Sequence, residues 1–375
     1  MSSKHNSLIP ENNRVSYSEY DIIDFVADYN GQRVVPNTFR ISGELEVYKN
    51  NVPIVNTDKI QLDSMCGVHN LFQQISTEFS NIGLVESVNN YGLSTKMMNN
   101  AQYQNTDMLN ATHSIEMKAP LDTMAAVLIK SQNVKDLLPE SQYTAKASFS
   151  MKPVIALNRV FSQTGGDTTM TYSKYGSIKV SLQLNRVVNF LYGPDMDSTI
   201  SYKLFNPRLE FLSIADDGRP QSPLVMKVKN SLKTTLNSSL STVSVKAPMV
   251  ADSISMSFIK QSDDNQNLVN SLKQEQLKDV SELVISYNNQ LNQLTTYTLR
   301  DTTQMLNLYV KSLGSKEVSN LSLTRLKGND GFGLGYSFDT PVDLSRNTVQ
   351  FQITADIDSS APISAYVLIQ GFLQV

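Results

Sequence analysis

Thr38-Phe39-Arg40-Ile41-Ser42-Gly43-Glu44-Leu45-Glu46-Val47-Tyr48 alternates without a break. Phe39, Ile41, Gly43, Leu45 and Val47 share one side; Thr38, Arg40, Ser42, Glu44, Glu46 and Tyr48 share the other. Successive side chains of a strand point to opposite faces, so the stretch reads as a strand with one dry face and one wet face. The same stripe returns at Ile178, Val180, Leu182 and Leu184, and at Ile254, Met256 and Phe258 with serines between them. It returns again at Val349, Phe351, Ile353, Ala355 and Ile357. Ala365 to Val375 is more continuously apolar, the pattern of a strand covered on both faces.

Helical spacing is scarce. Met124, Val127, Leu128, Val134, Leu137 and Leu138 predict a short helix ending before Pro139. Met305, Leu306, Tyr309, Val310 and Leu313 predict another, with Gly314 placed to stop it. Leu268, Val269 and Leu272 permit a third. None lies in a regular strand–helix–strand series, which argues against a doubly wound parallel sheet. The expected fold class is all-β: two eight-stranded antiparallel sandwiches with a few short inserted helices.

The chain has 375 residues, room for two domains. A turn-rich stretch, Asp216-Asp217-Gly218-Arg219-Pro220 followed by Pro223, divides it. The expected layout is a polar N-terminal arm over 1–15, a first sandwich over 16–215 and a second over 216–375. Charged residues are only 18%, so Ser, Thr, Asn and Gln must supply most of the polar surface. A net charge of −3 excludes a protein that works by neutralising nucleic acid with bulk charge. One cysteine, Cys66, excludes an intrachain disulfide framework and a four-cysteine zinc site. No apolar run reaches membrane-spanning length, and Met1 to Arg14 lacks the apolar centre of a secretion signal. The sequons at Asn110, Asn237 and Asn320 are therefore read as chance.

The chemistry on offer is thin. Asp216-Asp217-Gly218 and the pair Asp356 and Asp358 could take calcium through carboxylate oxygens, but neither has a dedicated loop's ligand count. They read better as a turn and a wet strand face. Cys66 and His69 could be two metal ligands or a thiolate–imidazole pair. His5 and His113 have no spacing that completes a metal site, and no oxyanion-binding group is visible, so Cys66 reads as a buried structural residue. Gly331-Phe332-Gly333-Leu334-Gly335 looks like a phosphate loop but runs into Tyr336-Ser337-Phe338-Asp339, a strand or turn rather than a helix. Aromatic content would permit glycan stacking, yet Trp is absent. No catalytic, cofactor-binding or metal residue is assigned, and no enzyme or cofactor is expected.

Three segments stand out: Tyr202-Lys203-Leu204-Phe205-Asn206-Pro207-Arg208-Leu209, Val228-Lys229-Asn230-Ser231-Leu232, and Ser253 through Ile259-Lys260-Gln261-Ser262-Asp263. They resemble major capsid proteins of the double jelly-roll lineage, the lineage of virophages, adenoviruses and tailless double-stranded DNA phages. Leu283-Val284-Ile285-Ser286-Tyr287-Asn288-Asn289-Gln290 resembles the family's strand ending in an aromatic residue and Asn-Asn-Gln. The stretch Gly67-Val68-His69-Asn70-Leu71-Phe72-Gln73-Gln74-Ile75 is a looser match. The resemblance covers 145–375 best. It implies two upright jelly rolls per chain, homotrimers that tile as pseudo-hexagons, and an icosahedral shell. The partners it implies are the chain itself, neighbouring capsomers, and penton and minor capsid proteins. It implies no sequence-specific nucleic acid and allows an internal membrane beneath the shell. The expected location is the virion, after synthesis in the host cell without a secretion signal. The chain is shorter than virophage major capsid proteins, which implies small surface towers or a vertex or minor capsid role, and two other readings stand beside the first. One is a penton, vertex or minor capsid protein with one shell jelly roll and a projecting domain. The other is a glycan- or receptor-binding β-sandwich.

Overall fold

In the computed structural model the described residues are 3–54, 60–63, 66–102, 126–128, 146–263, 271–275, 277–287, 293–297, 302–314 and 332–374. The chain divides into two units. One comprises Met1–Lys96, Asn105–Lys229 and Leu373–Val375, the other Met97–Gln104 and Asn230–Phe372.

The principal strands of the first unit are β1 (Lys4–Leu8), β2 (Ile22–Ala27), β3 (Gln32–Lys49), β4 (Phe72–Phe79), β5 (Gly83–Asn89), β6 (Lys146–Met151), β7 (Ile178–Leu184) and β8 (Ile200–Ala215). One sheet runs β1-β8-β3-β6 and the other contains β2-β7-β4-β5, every pairing antiparallel. The opening alternation is the middle of β3, and Phe39, Ile41, Leu45 and Val47 are all fully buried. Leu45 lies opposite Leu204, and Val47 opposite Tyr202. In the other sheet Ile23, Leu182 and Ile75 stand abreast on three strands, all buried. Each such side chain taken from water contributes about 1.5–3 kcal/mol, so the register that aligns the stripes is the stable one. After β3 the chain reverses at Asn50 and Asn51, whose φ of 52° and 62° give the doubly left-handed turn that suits a hairpin's twist. It returns as the short strand Val52–Pro53.

The remaining strands are β9 (Leu224–Leu236), β10 (Leu240–Val245), β11 (Val250–Lys260), β12 (Lys278–Tyr287), β13 (Gln293–Tyr297), β14 (Leu334–Asp343), β15 (Val349–Asp356) and β16 (Ile363–Gln374). In the second unit one layer runs β14-β11-β16 with β9 beside β16, and the other runs β10-β15-β12-β13. Phe351 sits between Val243 and Ile285, and all three are fully buried. The longer helices are α1 (Tyr91–Gln102) and α2 (Thr302–Ser312). Gly314 follows α2 with a φ of 72°, in the stop position expected of it.

Three expectations need correction. Lys4–Leu8, inside the expected arm, is a strand paired with β8 from Lys4↔Ser213 to Leu8↔Leu209. The backbone edge of β8 gives this polar segment hydrogen-bond partners that its side chains do not advertise. Ala126–Leu128, expected in a helix, is a short strand paired with Gln61–Asp63, because sheet pairing overrides local spacing. The rest of that helix, together with Leu268 and Val269, lies outside the described residues; Leu272 is in a turn. The serines of β11 are not on a wet face. Ser255 and Ser257 are fully buried, because α2 covers that side and the Ser255 and Ser312 hydroxyls meet at 2.8 Å.

Candidate functional site

What the first unit gathers is charge, held in three networks, each built around a buried ionisable side chain: Glu86, Lys96 or Arg33.

Glu86 points inward from β5 on the same face as Val88, and both are buried. It accepts the Ala156 N–H at 2.6 Å and the Lys229 N–H at 2.9 Å. Lys229 is 1% exposed; its ammonium donates to the Val154 carbonyl and lies 5.9 Å from the centre of the Tyr91 ring. The Tyr91 hydroxyl accepts the Val154 N–H at 2.9 Å and meets His69 Nδ1 at 3.0 Å. The network therefore fixes the turn Val154–Ala156 from two sides. Burial raises the Glu86 carboxyl above its ordinary value, opposed by the Lys229 charge. Burial pushes Lys229 down to about 7, opposed by Glu86.

The second network joins Asp63 to α1. Lys96 Nζ lies 2.9 Å from Asp63 Oδ2, with side chains 1% and 2% exposed. Asp63 Oδ1 accepts the Cys66 N–H at 3.1 Å. Burial pushes the Cys66 thiol well up, with the Asp63 charge adding to it. A thiol held protonated is a poor nucleophile and a poor metal ligand. Cys66 and His69 share one turn, with the His69 N–H on the Cys66 carbonyl at 2.9 Å. The His69 ring turns to Tyr91.

The third network centres on Arg33, whose side chain is 1% exposed. It meets Asp216 at 2.9 Å, Asp167 at 3.4 Å and Asp217 at 3.5 Å, and donates to the Arg219 carbonyl. The expected turn at Asp216-Asp217-Gly218 is thus tied by a guanidinium to the loop carrying Asp167, and Gly218 takes a φ of 72°. The Arg33 hydrogen bond holds the Asp216 carboxyl below its usual range.

The other calcium candidates lie in the second unit, on an open cleft of about 600 Å³ lined by Lys260, Gln261, Glu275, Asp356, Asp358 and Pro362 among others. Asp358 Oδ1 accepts the Ser360 N–H at 2.8 Å and its hydroxyl at 2.7 Å, which lowers its pKa. Among the described residues no three His, Cys, Asp or Glu side chains are grouped to hold a metal. His5 is exposed on β1; His113 and Gly331 lie outside the described residues. A Cβ on Gly333 would strike the Met256 carbonyl, and one on Gly335 would strike Ser312. The glycines that mimic a phosphate loop therefore let β14 pass close to β11 and α2.

Alternation carries a signal for Glu86, a carboxylate on an apolar face. Lys229 and Arg33 break the burial rhythm of their strands and give no such signal.

The two layered sets of antiparallel strands make this a double jelly-roll fold. No family model and no curated protein matches the sequence. Among solved structures, the Faustovirus major capsid protein is similar over 100% of this chain and 90% of its own, with a TM-score of 0.58 at 10% identity. The PBCV-1 virus capsid matches 100% of this chain and 94% of its own, with a TM-score of 0.59 at 10% identity. The Sputnik virophage structure matches 99% of this chain and 85% of its own, with a TM-score of 0.54 at 11% identity.

Proposed function

We propose that the protein is a major capsid protein that assembles into an icosahedral viral shell. One observation carries the reading: the fold match runs the length of this chain and nearly the length of chains from viral capsids. A vertex protein with one shell roll and an unrelated projecting domain would match over one part only. Three copies, each with two rolls, would present a pseudo-hexagonal outline, and closed cyclic symmetry would fix the count at three. The work is mechanical: many lateral contacts, each modest, summed over a shell. A surface rich in Ser, Thr, Asn and Gln suits polar, partly wet interfaces of that kind. Neighbouring capsomers, with penton and minor capsid proteins, would be the partners, and the virion the location. The buried networks hold the rolls rigid. Among the described residues no helix is long and apolar enough to cross a membrane. Electron microscopy of the concentrated protein tests the reading. Pseudo-hexagonal capsomers or closed shells are expected; dispersed monomers that bind glycans would overturn it.

A further inference from the structure

We propose that Lys96 and Asp63 condense into an isopeptide bond, a covalent staple inside the first unit. The reacting groups are already in contact, with Nζ 2.9 Å from Oδ2, on side chains 1% and 2% exposed. They stand on different elements, Lys96 on α1 and Asp63 on the strand Gln61–Asp63. The contact is between Nζ and a carboxyl oxygen, one bond from the Cγ that the amine would attack, and a pair held side by side in this way reacts as if at very high concentration. A buried ion pair loses the hydration of both charges, which brings the neutral amine and acid within reach. The opposite carboxyl oxygen is also held: Oδ1 accepts the Cys66 N–H at 3.1 Å.

The step balances without any co-reactant. One proton passes from the Lys96 ammonium to Asp63 Oδ2. The neutral amine then attacks Cγ, and the N–C bond forms. Charge developing on Oδ1 meets the Cys66 N–H, as in an oxyanion hole. A second proton moves from nitrogen to Oδ2, the C–Oδ2 bond breaks, and one water leaves. The third proton stays on the amide nitrogen. One positive and one negative charge disappear together, so the net charge is unchanged. The product joins strand to helix at a place where solvent water is excluded, which disfavours hydrolysis back.

Trypsin digestion of the unfolded full chain decides the matter. Consecutive cleavage sites are Lys59, Lys96 and Lys118. An acylated Lys96 resists the protease, so the expected product is one peptide, Ile60–Lys118, lighter than its sequence mass by one water. Asp63→Ala should restore cleavage at Lys96 and the full mass, while Lys96→Arg should give the cut and keep the ion pair. Water lost through cyclisation at Asp217-Gly218 would appear in a different peptide. Recovery of Ile60–Lys96 and Met97–Lys118 at full mass from the unaltered protein would show an ion pair only and overturn the proposal. That readout needs no variant to fold.

Discussion

Glu86 is a carboxylate with no solvent, balanced by two backbone N–H groups and the charge of Lys229. Removing one partner of such a pair leaves a buried charge uncompensated, at a cost of about 3–5 kcal/mol. Lys229→Met should lower stability by that amount near pH 7, measured by denaturant unfolding. The loss should shrink in acid. Glu86 already titrates above its ordinary 4.5, and without Lys229 it rises further. The folded variant then binds a proton that the unfolded chain releases, so its stability falls as pH rises through that window and recovers as pH falls. A loss independent of pH would show that packing of the lysine stem, not its charge, is what matters.

At the level of elements, β14, α2 and β11 meet with almost no space between them. Ser312 joins Ser255 at 2.8 Å and bonds back to the Tyr309 carbonyl at 2.7 Å, and Gln370 donates to the Ser312 carbonyl at 3.1 Å. Gly335→Ala would drive a methyl into Ser312. Overpacking of this kind costs about 1–3 kcal/mol, read as a lowered melting temperature with the helix signal weakened. The edge strand β1 makes a second case. Deleting residues 1–8 uncovers the backbone edge of β8, so the truncated protein should melt earlier and aggregate, as open strand edges do. Unchanged melting would return the segment to the role of a free arm.

The same elements show what can be read from sequence. The stripes of β3, β7 and β15 were legible because a half-wet strand writes its burial into every second residue. Helix α2 was legible from its spacing and Gly314. The sides of β11 were not: serine is small enough to be buried under a helix, and only the partner, fifty-odd residues away in sequence, decides it. The pairing of β1 was equally hidden, since an edge strand is held by backbone groups common to every residue. At the networks, Cys66 is buried as its sequence reading expected, but its neighbours Asp63 and Lys96 were missed, because their meeting is a matter of tertiary placement.

At the scale of the molecule, the claim is that this double jelly roll is made to be tiled. Two rolls in one chain need three chains to present a near-sixfold outline. Five chains would indicate a vertex protein, and one would indicate a binding domain. Native mass spectrometry of the purified full-length protein separates these outcomes directly. The account predicts a dominant species at three times the 41.8 kDa chain mass, whereas a pentamer, or a monomer persisting at high concentration, would contradict it.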